Sequence, residues 1–184
     1  PVVTWPEIYP NLKILHIVRD PRTYASSHLK WSRQRFKSFI ANYLTPFWQP
    51  NGFFLREISL KSWIRMSKLE RFAWIWDFKN RMISNVERSP IPYLRIRFED
   101  LFHSVQQVDI FKQILEFMDC PEISEPGRLL EKRINTSRKS RFPEWMNWSN
   151  GLCNRFDQIC GNSMRLYGYG LEDEWVERIE RNLS

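Results

Sequence analysis

Apolar positions recur along this chain with two periods. Lys13-Ile-Leu-His-Ile-Val18 is a short strand-forming run that predicts a strand buried in a parallel sheet. Asp20-Pro21 follows as N-cap and first helical position, and a helix is predicted from Pro21 to about Phe36. From Ser59 to Val86 the period becomes helical. Trp63, Met66, Leu69, Phe72, Ala73, Trp76, Met82, Ile83 and Val86 fall at three- and four-residue steps, a core stripe on one long helix. Lys61, Arg65, Lys68, Arg71, Lys79 and Arg81 interleave with it as a solvated face. Ser89-Pro-Ile-Pro ends that helix, and Tyr93 to Phe98 predicts a second strand. A helix from about Ser104 to Met118 comes next. Arg155 to Leu166 reads as an amphipathic helix ending at Gly168-Tyr-Gly170, and Glu172 to Asn182 as a short charged one. Strands separated by helical segments imply an α/β fold, a parallel sheet flanked by helices.

The connections carry their own signals. Leu44 to Phe54 is a Pro/Gly-punctuated aromatic loop, either a lid or acceptor pocket or a loop pinned to the core by its rings. Cys120 to Arg133 is a connector, and Asn135 to Ser149 a basic loop closed by aromatics.

Composition narrows the partner. The 184 residues suit one domain, Pro1 to Ser184, and 28 basic against 21 acidic residues give +7, which favours an anionic partner. Cys120, Cys153 and Cys160 lack metal-ligand spacing and cannot all pair, which favours a reducing, cytoplasmic compartment. Three Asn-x-Ser/Thr matches, at Asn135, Asn147 and Asn182, read as chance without a signal peptide. No apolar run reaches bilayer-spanning length. Opening at Pro1, almost on a strand lead-in, the chain is expected to be a piece truncated on its N-terminal side.

The candidate chemistry sits where the first strand meets its helix. Free backbone N–H groups and the helix dipole converge at such a junction. Arg19, at the strand's end, adds a planar donor fork suited to phosphate. Ser27, seven residues after Asp20, lies on the same helix face two turns on. An ordinary βα unit with a surface arginine fits the same pattern. Glu99 and Asp100 read either as an acid/base pair or as residues that cap the following helix and pair with Arg95 or Arg97.

Arg19-Asp-Pro-Arg-…-Ser27 resembles the 3′-phosphate-binding strand and helix of sulfotransferases that use 3′-phosphoadenosine 5′-phosphosulfate (PAPS). Arg97-Phe-Glu-Asp-Leu101 resembles that family's (R/K)-Y-E-D-(L/M) signature. Asn135 to Ser149 resembles its C-terminal R-K-G-x-x-G-D-W-x-N loop, with Arg138, Lys139, Glu144, Trp145 and Asn147 in step and Ser140 and Pro143 replacing the glycines. The helix ending at Gly168-Tyr-Gly170 is similar to the family's closing helix. The four segments span nearly the whole chain in order.

The resemblance implies an incomplete sulfotransferase fold related to P-loop nucleotide-binding proteins, and transfer of a sulfuryl group from PAPS to an acceptor hydroxyl or amine. It implies that Arg19 and Ser27 hold the 3′-phosphate, that Phe98 contacts adenine without the usual hydroxyl, and that Arg138 and Lys139 clamp the phosphate, with Arg141 able to replace either. PAPS is then a co-substrate, no metal is required, and the acceptor is unidentified. The phosphosulfate loop and the catalytic base are expected upstream of Pro1, so this stretch alone is expected to be inactive. The rival reading is a nucleic-acid-binding module built on a basic, aromatic-rich surface, which needs a long basic track rather than one converging cleft. A kinase-like transferase needs a G-x-x-x-x-G-K-[ST] loop, which six glycines do not supply here.

Overall fold

A computed structural model describes residues 9–34, 50–121, 123, 127 and 143–180, with only the backbone at 30–34. The described chain is mixed α/β and mostly helical. Contacts divide it into two units, Pro1–Arg19 with Arg81–Ser137 and Asp20–Asn80 with Arg138–Ser184.

The first unit is built on two strands, β1 (Ile14–Val18) and β2 (Tyr93–Arg97). They pair in parallel from Ile14↔Tyr93 to Val18↔Arg97, as the order of strands and helices requires. One sheet face carries Leu15, Leu94 and Ile96, packed with Leu101, Ile110, Phe111 and Ile114. Ile17, on that same face, stays 43% exposed, so the first strand is not buried along its whole length. On the other face His16 is buried, its Nδ1 2.6 Å from the Tyr93 hydroxyl. Two helices follow β2 instead of a single late one: α4 (Phe98–His103) begins directly at the strand end, and α5 (Gln107–Phe117) begins after a break. The Ser104 hydroxyl accepts from the Gln106 N–H across that break, a local turn bond that competes with helix continuation.

The second unit opens with α1 (Pro21–Gln34). Its N-cap is as expected, since the Arg22 N–H donates to Asp20 Oδ1 at 2.8 Å. The long helix expected over Ser59–Val86 is instead α2 (Leu60–Arg65), α3 (Lys68–Ser84) and a 3-10 turn at Val86–Arg88. Met66 is extended, and Ser67 restarts the helix with a reciprocal capping box. The Ser67 N–H donates to Glu70 Oε2 at 2.6 Å, while the Glu70 N–H donates to Ser67 Oγ at 3.3 Å. Arg71 then bridges the break, donating to the carbonyls of Trp63 and Ile64 at the end of α2. Trp63, Leu69, Ala73, Trp76 and Val86 of the expected stripe are buried, but Met82 is exposed, because six residues on from Trp76 it turns off the face that Leu69, Ala73 and Trp76 share, where Asn80 takes the buried position.

Two further helices close this unit, α6 (Asn150–Leu166) and α7 (Asp173–Glu180), after a 3-10 turn at Trp145–Asn147. The inward face of α6 is Cys153, Phe156, Cys160, Ser163 and Met164, all buried. The helix ends in a Schellman motif, with the Tyr169 N–H on Met164 O and the Gly168 N–H on Arg165 O. Gly168 takes the left-handed position with φ 77°. Trp175 of α7 is fully buried, its indole N–H donating to Asp157 at 3.1 Å. No described helix is long and apolar enough to cross a membrane.

Candidate functional site

The parallel pair sets the site. Val18 and Arg97 are the last register partners, so Arg19 and Phe98 are the next positions out, side by side at the carboxyl edge of β1 and β2. Ligands of open parallel sheets bind outside that edge. The Arg19 guanidinium carbon lies 4.6 Å from the centre of the Phe98 ring, a cation–π contact between residues 79 positions apart. A guanidinium laid on a ring has its orientation fixed by the contact. Phe98 in turn meets the Phe102 ring at 4.6 Å and the His103 ring at 6.1 Å, both from α4. Glu99 and Asp100 occupy the first turn of α4, where carboxylates suit the helix dipole. Asp100 stands 3.9 Å from Arg97, whereas Arg95 pairs with Glu87.

Ser27 belongs to the second unit, exposed on α1 one turn beyond exposed Thr23. Arg138, Lys139 and Arg141 lie outside the described residues. The far end of their loop is described. Trp148 is buried, with its indole N–H donating to Pro143 O at 3.0 Å, and Trp145 meets the Trp175 ring edge-on at 5.6 Å.

Sequence reasoning missed the role of Arg22, the second arginine of the Arg19-Asp-Pro-Arg motif. Its side chain is 1% exposed and donates to both Asp20 oxygens and to both Glu172 oxygens. Trp145 and Trp175 lie against it, 4.3 and 4.9 Å from the guanidinium carbon. Burial alone would lower the Arg22 pKa, but the hydrogen bonds it donates to Glu172 and Asp20 raise it above its ordinary value. Arg22 is therefore committed within the protein. Only the Asp20 end of this network was readable locally. Nothing in the sequence marks Glu172 as its second partner.

Burial would also raise the Glu172 and Glu70 carboxyls. Hydrogen bonds from Arg22 to the first, and from Ser67 and Arg155 to the second, hold both below the usual carboxylate range. The Cys160 thiol is pushed well above its ordinary value by burial, with Asp77, Asp157 and Asp20 adding to the shift, so it is a packing residue and not a nucleophile. The Phe102 and His103 rings beside Phe98 were also missed, and only their i+4 and i+5 spacing from Phe98 signals them. No family model, curated protein or solved structure matches the chain.

Proposed function

We propose that this chain carries the 3′-phosphoadenosine-binding part of a PAPS-dependent sulfotransferase. The observation that carries the reading is the approach of Arg19 to Phe98 at the carboxyl edge of the parallel pair. In this reading the Arg19 fork donates two N–H groups to phosphate oxygens, and the Phe98 ring offers a face to adenine. Ser27 adds a hydroxyl donor, and Arg138, Lys139 and Arg141 supply further cations from the basic loop. The reaction forms a bond from sulfur to the acceptor oxygen or nitrogen and breaks the bond from sulfur to the 5′-phosphate oxygen. The acceptor gives up a proton. Such a transfer develops negative charge on the leaving phosphate, so positioned cations contribute most, as in phosphoryl transfer.

The test is calorimetric titration with adenosine 3′,5′-bisphosphate, and with adenosine 5′-phosphate as the control lacking the 3′-phosphate. Arg19→Ala is expected to weaken the bisphosphate by roughly 1.5–3 kcal/mol, the value of a charge-assisted bidentate contact. It should leave the weaker monophosphate nearly unchanged. Equal affinity of wild type and Arg19→Ala for the bisphosphate would sink the reading.

A further inference from the structure

Residues 50–66 of the second unit form a second surface, separate in sequence from the nucleotide residues. Asn51 organises a tight turn: its side-chain oxygen accepts from the Phe53 and Phe54 N–H groups, and its carbonyl from the Leu55 N–H. The Glu57 and Ile58 N–H groups both return to Gly52 O, which closes the loop. Gly52 is buried beneath, where an added Cβ would meet Ile58 and Trp63 at 3.1–3.2 Å. Ile58 packs on the Trp63–Trp74–Ile75 cluster, so the turn has its own anchor. Yet the three residues at its tip, Phe53, Phe54 and Leu55, all point outward and are exposed. In α2, Leu60 and Ile64 are one turn apart on one face, and Ile64 is 58% exposed.

A turn held this firmly, with its large apolar side chains outward, is built to present them. Cations accompany them: Arg56, Lys61 and Arg65 are exposed in the same stretch, with Glu57 as the single acid. Lys61 is of a type depleted at the centre of protein–protein interfaces, and three cations against one acid suit an anionic surface. Leu55, Leu60 and Ile64 have no flat face on which a nucleobase could stack. Aliphatic as well as aromatic side chains set among lysine and arginine match the boundary between acyl chains and anionic headgroups. We infer that the Phe53–Leu55 turn and the Leu60–Ile64 face dock this protein on an anionic lipid bilayer, the rings and aliphatics entering the acyl boundary and the cations pairing with headgroups.

Vesicle flotation tests this with the whole chain. Phosphatidylcholine vesicles containing phosphatidylserine should bind at least about tenfold more protein than phosphatidylcholine alone, and raised salt should reduce the difference. Phe53→Ser/Phe54→Ser should abolish binding to both. Lys61→Glu/Arg65→Glu should remove only the preference for phosphatidylserine. All four positions are exposed, and circular dichroism checks that the variants stay folded. Arg19→Ala should bind vesicles like wild type, which separates this surface from the nucleotide reading. Three results would overturn the inference. One is no vesicle binding, another is binding unchanged in the Phe53/Phe54 variant, and the third is a patch that sediments as a dimer or captures a labelled single-stranded oligonucleotide in preference to vesicles.

Discussion

Arg22 and Glu172, 150 positions apart, meet through two hydrogen bonds of 3.0 and 2.6 Å. Asp20 completes the network from the other side, itself buried. Arg22→Met should therefore cost about 3–5 kcal/mol, because it leaves the Asp20 carboxylate buried without its cation. Arg22→Lys should recover little of the loss, since an ammonium cannot reach both carboxylates in a fork or lie flat against the two indoles. Urea unfolding followed by tryptophan fluorescence measures both.

Acid should loosen the second unit. Glu70 and Glu172 both have carboxyl groups held below their ordinary value in the folded state. Their contribution is therefore present in full above the unfolded-state value of about 4.3 and is lost as pH falls through the lower folded values. Unfolding midpoints taken from pH 6 down to pH 3 (about the range set by those values) should drop toward the acid end. In Glu70→Gln/Glu172→Gln the drop should be shallower, from a lower starting stability. An identical acid slope in both proteins contradicts this assignment.

Phe98 should tolerate an aromatic and no other side chain. Phe98→Tyr is expected to bind adenosine 3′,5′-bisphosphate at least as well as wild type. Phe98→Leu should lose about 1–3 kcal/mol, the worth of one base stacked on an aromatic face. It also removes the ring beneath Arg19. Titration of Phe98→Leu/Arg19→Ala would then show a loss smaller than the sum of the two single losses, because the residues touch.

Two local devices should have separable costs. Gly168→Ala places a Cβ on the left-handed residue of the Schellman motif and should destabilise by about 1–2 kcal/mol. Ser67→Ala removes one half of the capping box that starts α3 and should cost about 1 kcal/mol. Thermal melts of each single variant and of the pair should give additive losses, since the two sites share no hydrogen-bond partner.

Local chemistry was the legible part of this chain. Both strands, their parallel pairing and the Asp20–Pro21 helix start follow from short-range pattern, and they hold. The break at Met66 was also written in the sequence, as Ser67-x-x-Glu70, but the apolar stripe running through it masked the signal. Glu70 was hidden for the opposite reason. Its second partner, Arg155, is 85 residues away, and no spacing rule reaches that far. The meeting of Arg19 with Phe98 lies between these cases. Each stands at a strand end that can be read locally, but only the register of the pair puts them together.

The interleaving of the two units sets an order of events during synthesis. Each unit is made of two separate stretches of chain, so neither has all its parts until the later stretch has emerged. Asp20 and Arg22 leave the ribosome together, but Glu172 and Trp175 arrive about 150 residues afterwards. At ordinary elongation rates that is roughly 8–30 s in which the guanidinium has one carboxylate and no indole from α7. The second unit is therefore completed only once Glu172 and Trp175 have been made, and a nascent chain halted shortly before Glu172 would hold its earlier helices without the network that locks them.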